Sequence, residues 1–225
     1  MAVDWDFISG PGIEGESTHK TGYVPPTALS SKLGSGFTVG SLDVGQHSEE
    51  EIRSILQQYA NIQAGGGPGS DIVGSIRADL LKKLTPYVKE GRSGSIWGKY
   101  GSQEGYDMMA KTEKFQPEDI EYIMAAKRSN FENKLSGRKD WSGLDKKSQT
   151  ILASVGWQYG LNSPEFDRLW NKRPGVKGGS KKEMANYLRG LDDYKPRRNL
   201  EADYIDPLPL PVKETLNVDK EKEIF

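Results

Sequence analysis

The sequence predicts an α+β protein with a small N-terminal β-hairpin region and a larger, mainly helical remainder. Up to about residue 47 the chain is rich in Gly, Ser, Thr and Pro, with β-branched residues in short runs such as "TGYVPP" and "GFTVGS". From residue 48 onward, apolar residues recur at intervals of three and four. Most of those helical segments open on a capping residue or an early proline.

In chain order, a short aromatic start, "DWDFIS", is broken by "GPG", and the irregular hairpin region follows. Ser48 followed three residues later by Glu51 is a capping box, and Ile52, Ile55, Leu56 and Tyr59 keep helical spacing, which predicts a helix over about 49–62. "AGGGPGSD" interrupts it; without the Lys-Ser/Thr ending of a phosphate loop it reads as a linker. Ile72, Ile76, Leu80, Leu81 and Leu84 predict a second helix to about residue 88. After the loop "EGRSGSIWGKYGSQEG", further helices are expected near 117–129, 143–159, 164–171, 181–191 and 197–204. Pro117 after Gln116, Ser142, Ser163 with Pro164, and Ser180 mark their starts. Residues 1–205 form one domain, with a hairpin lobe over about 14–47 and a helical lobe over about 48–205. The Pro-Leu and charged tail 206–225 reads as polyproline II running into a loosely held end.

Composition narrows the chemistry. At 225 residues the chain can bury a core, and 5 Trp, 10 Tyr and 6 Phe argue for folding despite only 35% hydrophobic residues. With no cysteine and only His19 and His47, thiolate and histidine-rich metal sites are excluded, so chemistry falls to carboxylates, hydroxyls, Lys or Tyr. His47, just before the capping box, reads as a loop residue. A net charge of -1 does not support general nucleic-acid binding, although the acids concentrate in residues 1–66 and leave the rest basic. Solvated helix faces explain this asymmetry, and attraction of a basic lobe to an anionic polymer is the sharper reading. No window is apolar enough to span a bilayer, and the N-terminus shows no export signal.

The most informative stretch lies between residues 14 and 47. A glutamate precedes glycine in "IEG", and Thr38 and Asp43 stand five residues apart among glycines 34, 36, 40 and 45 in "SGFTVGSLDVGQH". Glycosidic cleavage needs one protonated carboxyl to assist the leaving group and one ionised carboxylate to activate water or attack carbon. Glu14, beside Ile13, suits the protonated role, because desolvation raises a carboxyl pKa. Asp43, in a hairpin open to water, suits the ionised one, and the Thr38 hydroxyl can orient water. Spacing alone does not separate Glu14 from Glu16, and a Glu in a turn with an Asp in a hairpin equally describes surface residues.

"FIS", "EG", "TGYVP" and "SGFTVGSLDVGQH", in that order, resemble the pesticin-type branch of the phage lysozymes. That pattern joins a catalytic Glu-Gly to a glycine-rich hairpin. "QTILASVGWQYG" and "RRNLEADYI" resemble the family's later helical segment and closing helix, so the likeness spans most of residues 5–205. It implies a lysozyme-like α+β fold, Glu14 as general acid, Asp43 as second carboxylate and Thr38 as hydroxyl partner. It also implies peptidoglycan glycan strands as substrate, no metal and no organic cofactor. The spacing between Thr38 and Asp43 is one residue shorter than the family pattern, so the hairpin has to be re-registered or bulged for Asp43 to face a cleft.

Trp97, Tyr100 and Gln158, with Trp157 and Tyr159, are candidates for a sugar-binding wall, the alternative being aromatic residues of a helical core. Arg197, Arg198 and Glu201 fall at helical spacings; a surface ion pair is the default reading, and a buried Arg orienting Glu14 the alternative. The expected function is therefore a monomeric muramidase without nucleic-acid partner. Released by a holin, or delivered by a secretion machine, it would act in the bacterial periplasm or cell wall. A catalytically inactive wall-binding or virion module is the competing class. Neither the stereochemical outcome nor any inhibitor or carrier protein is legible.

Overall fold

The computed structural model describes residues 3–10, 38–66, 70–88 and 115–208. These residues are mainly helical, which corrects the expected α+β fold with a β-hairpin lobe. Eight α-helices are present among them: α1 (Trp5–Ile8), α2 (Glu49–Gln63), α3 (Ala78–Leu84), α4 (Pro117–Ser136), α5 (Lys146–Tyr159), α6 (Pro164–Trp170), α7 (Lys181–Gly190) and α8 (Lys195–Ile205). The β structure among the described residues is confined to the bridge residues Thr38, Val39 and Leu42, with Val39 and Leu42 paired in an isolated antiparallel bridge. The physical reason lies in the burial of the segment. Val39, Leu42 and Val44 are all fully buried and pack into a cluster with α2, α3 and α4. The chain then coils into a 3-10 turn at Val44–Gln46, which ends any ladder.

Helix starts follow local chemistry. At α2 the Glu51 amide donates to Ser48 Oγ at 3.1 Å and the Ser48 amide donates to Glu51 Oε2 at 2.8 Å, completing the expected capping box. Ser163 and Ser180 cap α6 and α7, and Gln116 with Pro117 opens α4. The helix expected from about 143 with Ser142 as cap instead starts at Lys146, where Asp145 accepts from the Lys147 and Ser148 amides. Ser142 lies in the 3-10 turn Trp141–Gly143.

The second predicted helix is shorter than its apolar spacing implied. Residues 70–77 are irregular, and Ile72 is 44% exposed. Gly74 explains this. Its amide donates to Asn61 Oδ1 and its carbonyl accepts from Gln57 Nε2, while a Cβ built on it would lie 2.0 Å from the Ala60 carbonyl oxygen. The backbone is pressed flat against α2, a contact that a continuous helix cannot make.

Two apolar clusters result. The first gathers Val39, Leu42, Ile52, Leu56, Leu80, Leu84, Ile120, Ile123 and neighbours. The second gathers Ile8, Leu135, Trp141, Ile151, Leu152, Phe166, Leu169, Met184, Leu188 and neighbours. At about 1.5–3 kcal/mol per fully buried large apolar side chain, each is a core in its own right. The 20-residue α4 belongs to both: Ile120, Ile123 and Ala126 enter the first, and Leu135 enters the second. No helix among the described residues is long and apolar enough to cross a membrane.

Candidate functional site

Thr38 and Asp43 are brought together by the tightest turn available. The Val39 amide donates to the Leu42 carbonyl at 3.0 Å and the Leu42 amide donates back at 2.9 Å, leaving two residues between. Both of these, Gly40 at φ 52° and Ser41 at φ 61°, are left-handed, the pattern of a type I′ turn. Thr38 and Asp43 are therefore the next residues outward on each side, and the Thr38 hydroxyl donates to Asp43 Oδ1 at 3.1 Å. The five positions from Thr38 to Asp43 are thus spanned by a two-residue turn. Thr38 is buried, while the Asp43 side chain is 40% exposed.

The turn is seated on α4. A Cβ on Gly40 would meet the Ile120 carbonyl oxygen and Met124 Cγ, each at 3.1 Å, so a glycine is favoured there by both torsion and space. Three residues further along α4, on the same face, Lys127 brings Nζ to 3.9 Å from Asp43 Oδ2. The Lys127 ammonium also lies 4.5 Å from the centre of the Trp157 ring. Trp157 is held edge-to-face by Trp5, with centroids 5.0 Å apart, and by Phe131 at 5.2 Å. The Arg128 guanidinium stands 5.1 Å above the Trp5 ring and donates to Ser9 Oγ at 2.6 Å. The Trp5 indole N–H donates to Glu132, one helical turn beyond Arg128.

Next to the Thr38 and Asp43 pair lies a surface hollow bounded by Trp5, Ser9, Gly40, Ser41, Met124, Arg128 and Trp157. It opens at the middle of α4, where the two apolar clusters meet, and its wall combines aromatic faces with cationic and hydroxyl groups. His47 lies close by; burial holds its imidazole below its ordinary pKa, against the pull of Glu51 and Asp43. Its Nδ1 is 3.6 Å from Glu51 Oε2. The neutral imidazole adds no charge to the hollow at neutral pH.

Beside the hollow, on the inner side of α5 and α8, lies a buried ionic network. Glu201 is fully buried; Oε1 accepts from Ser154 Oγ at 2.6 Å and from Arg197 Nε at 3.1 Å, and Arg198 donates to Oε2. The surface ion pair expected for these residues is therefore replaced by a buried one, because α8 packs this face against α5. Gln158, expected on a sugar-binding wall, instead accepts from Arg197 Nη1 at 2.7 Å through its Oε1. Tyr159 lies beneath Arg198, whose guanidinium is 5.0 Å from the ring centre.

Glu14, Glu16, Trp97 and Tyr100 lie outside the described residues. Of the expected site residues, the structure brings Thr38 and Asp43 together, places Trp157 in the hollow beside them, and places Gln158 one layer behind. Lys127, Arg128, Met124 and Trp5 were not anticipated. They carry no local signal, since a Lys-Arg pair in a helix reads as a solvated face until the turn docks upon it. Among the described residues, no cluster of three or more His, Asp or Glu side chains has the geometry to hold a metal ion. No protein-family model matches the chain, and no curated protein matches it.

Proposed function

We propose that the protein is a peptidoglycan hydrolase of the muramidase type, cleaving the β-1,4 bond between N-acetylmuramic acid and N-acetylglucosamine. The observation that carries this reading is the Thr38 and Asp43 pair, fixed across a two-residue turn at the rim of a hollow walled by Trp5 and Trp157. An ionised carboxylate, a positioning hydroxyl and aromatic faces for pyranose rings are the groups that water attack on a glycan needs.

In this reading Asp43 accepts a proton from the attacking water through its exposed edge. Thr38 is buried and donates to Asp43, so its hydroxyl works by holding the carboxylate in one orientation. Glu14 is the general acid that protonates the leaving oxygen. Only three residues of chain separate it from Gly10, which follows Ser9 at the hollow, and four residue-to-residue steps reach at most about 14 Å. Water activated by one carboxylate opposite an acid gives inversion at the anomeric carbon. The likeness to pesticin-type phage lysozymes supports the same assignment of Glu14, Thr38 and Asp43. The chemistry proposed calls on no metal or organic cofactor.

The test is release of soluble fragments from purified Gram-negative peptidoglycan by the wild type and by Glu14→Gln, Glu16→Gln and Asp43→Asn, with folding checked by circular dichroism. Wild-type cleavage is expected to fall by about 100-fold or more in Glu14→Gln and in Asp43→Asn, and to persist in Glu16→Gln. A folded wild type that binds the polymer but releases nothing would replace this reading with a wall-binding module.

A further inference from the structure

We infer that Lys127 is a positioning residue for Asp43, coupling that carboxylate to the aromatic wall of the hollow; the inference rests on the muramidase reading of the site. The two oxygens of Asp43 face different groups. Oδ1 accepts from the buried Thr38 hydroxyl at 3.1 Å, and Oδ2 faces the Lys127 ammonium at 3.9 Å. The hydrogen bond on one oxygen and the ion contact on the other together bias the rotation of the carboxylate plane, which one hydrogen bond alone leaves freer.

The placement of the ammonium is set by packing. Gly40 admits the turn so close to Ile120 and Met124 that a Cβ would have to displace them, and Lys127 is the residue one turn further along that face of α4. Trp157, wedged between Trp5 and Phe131, offers its face to the ammonium at 4.5 Å. Asp43 follows Leu42 of the first cluster, Trp157 packs on Trp5 and Phe131 beside the second, and Lys127 contacts both Asp43 and Trp157. A sugar bound across the rim at Asp43 therefore meets the same cation that orients the attacking water's acceptor. When it displaces solvent from Lys127 and Asp43, which are 24% and 40% exposed, the local dielectric falls and the hold of Lys127 on Oδ2 strengthens.

This role predicts an effect on turnover rather than on binding. Because the pair is partly exposed in the free protein, the effect is modest. Lys127→Met is expected to lower kcat on a soluble peptidoglycan oligomer about three- to tenfold, with KM changed less than about twofold and an unchanged melting temperature. Lys127→Arg, which keeps the charge, is expected to recover most of the rate. Wild-type kcat in Lys127→Met, or an equal loss in Lys127→Arg and Lys127→Met, would overturn the inference while leaving the muramidase reading standing.

A readout independent of turnover is the indole N–H resonance of Trp157. Asp43→Asn is expected to shift it when Lys127 is present and to leave it in place in a Lys127→Met background, since the carboxylate reaches the ring through the ammonium. A resonance that ignores Asp43→Asn, or moves equally in both backgrounds, would overturn the coupling. A wild type that cleaves no oligomer would overturn the muramidase reading itself, and the positioning role with it, whatever the resonance does.

Discussion

Each apolar cluster is tied to its neighbours by a buried carboxylate that faces two cations, and the two carboxylates differ in where those cations end. Asp119, at the start of α4 beside the first cluster, has a side chain 3% exposed, and its partners Arg77 and Lys83 are 34% and 35% exposed. Both make hydrogen bonds of 2.7 Å to it. Glu201, beside the second cluster, is fully buried, and so is Arg198, with Arg197 only 7% exposed. The first arrangement lets water share in solvating the cations; the second commits three charges to the interior. A buried charge without its counterpart is far more costly than a hydrated one, so the two regions should respond differently to the loss of one carboxylate.

The largest effect is expected at Glu201. Glu201→Gln keeps the size and the bond from Ser154 but removes the countercharge from two buried guanidiniums, and is expected to cost about 3–5 kcal/mol. For a chain of this length that lowers the melting temperature by roughly 6–20 °C in a calorimetric scan. Asp119→Asn is expected to cost less, about 1–3 kcal/mol, because Arg77 and Lys83 can turn to solvent. Equal losses at the two positions would break the comparison.

Acid sharpens it. Burial pushes the Asp119 carboxyl up, but Lys83, the Gln116 amide and Arg77 outweigh it and hold it below its ordinary value of 3.8. A carboxylate with a depressed folded pKa contributes stability above its unfolded pKa and loses it as pH falls through the folded one. The wild-type melting temperature is therefore expected to drop below about pH 4, and the difference from Asp119→Asn to narrow there while staying constant near neutrality.

Smaller effects probe the seam between the clusters. Gly40→Ala places a side chain at a left-handed torsion against the α4 backbone and is expected to cost about 1–2 kcal/mol in denaturant unfolding. Ser48→Ala removes one half of a capping box at the exposed start of α2 and is expected to cost about 1 kcal/mol. A Gly40→Ala cost no larger than that of Ser48→Ala would mean that the turn is less tightly seated on α4 than the described contacts require.

The sequence by itself determined most helices to within a few residues, since capping side chains and the three-to-four spacing of Ile52, Ile55 and Leu56 are local signals read from neighbours along the chain. It also suggested Thr38 and Asp43 as a pair, through their place five positions apart among glycines and through the family resemblance. Three outcomes were decided only by tertiary structure. The absence of a sheet among the described residues followed from helices taking Val39, Leu42 and Val44 into their own core. The irregular path through Ile72 was imposed by Gly74 lying flat on α2, a contact invisible to apolar periodicity. Lys127, finally, became part of the site only because the turn landed on α4 one helical turn away. Charges in a helix carry no address in sequence; packing across the two clusters supplies it.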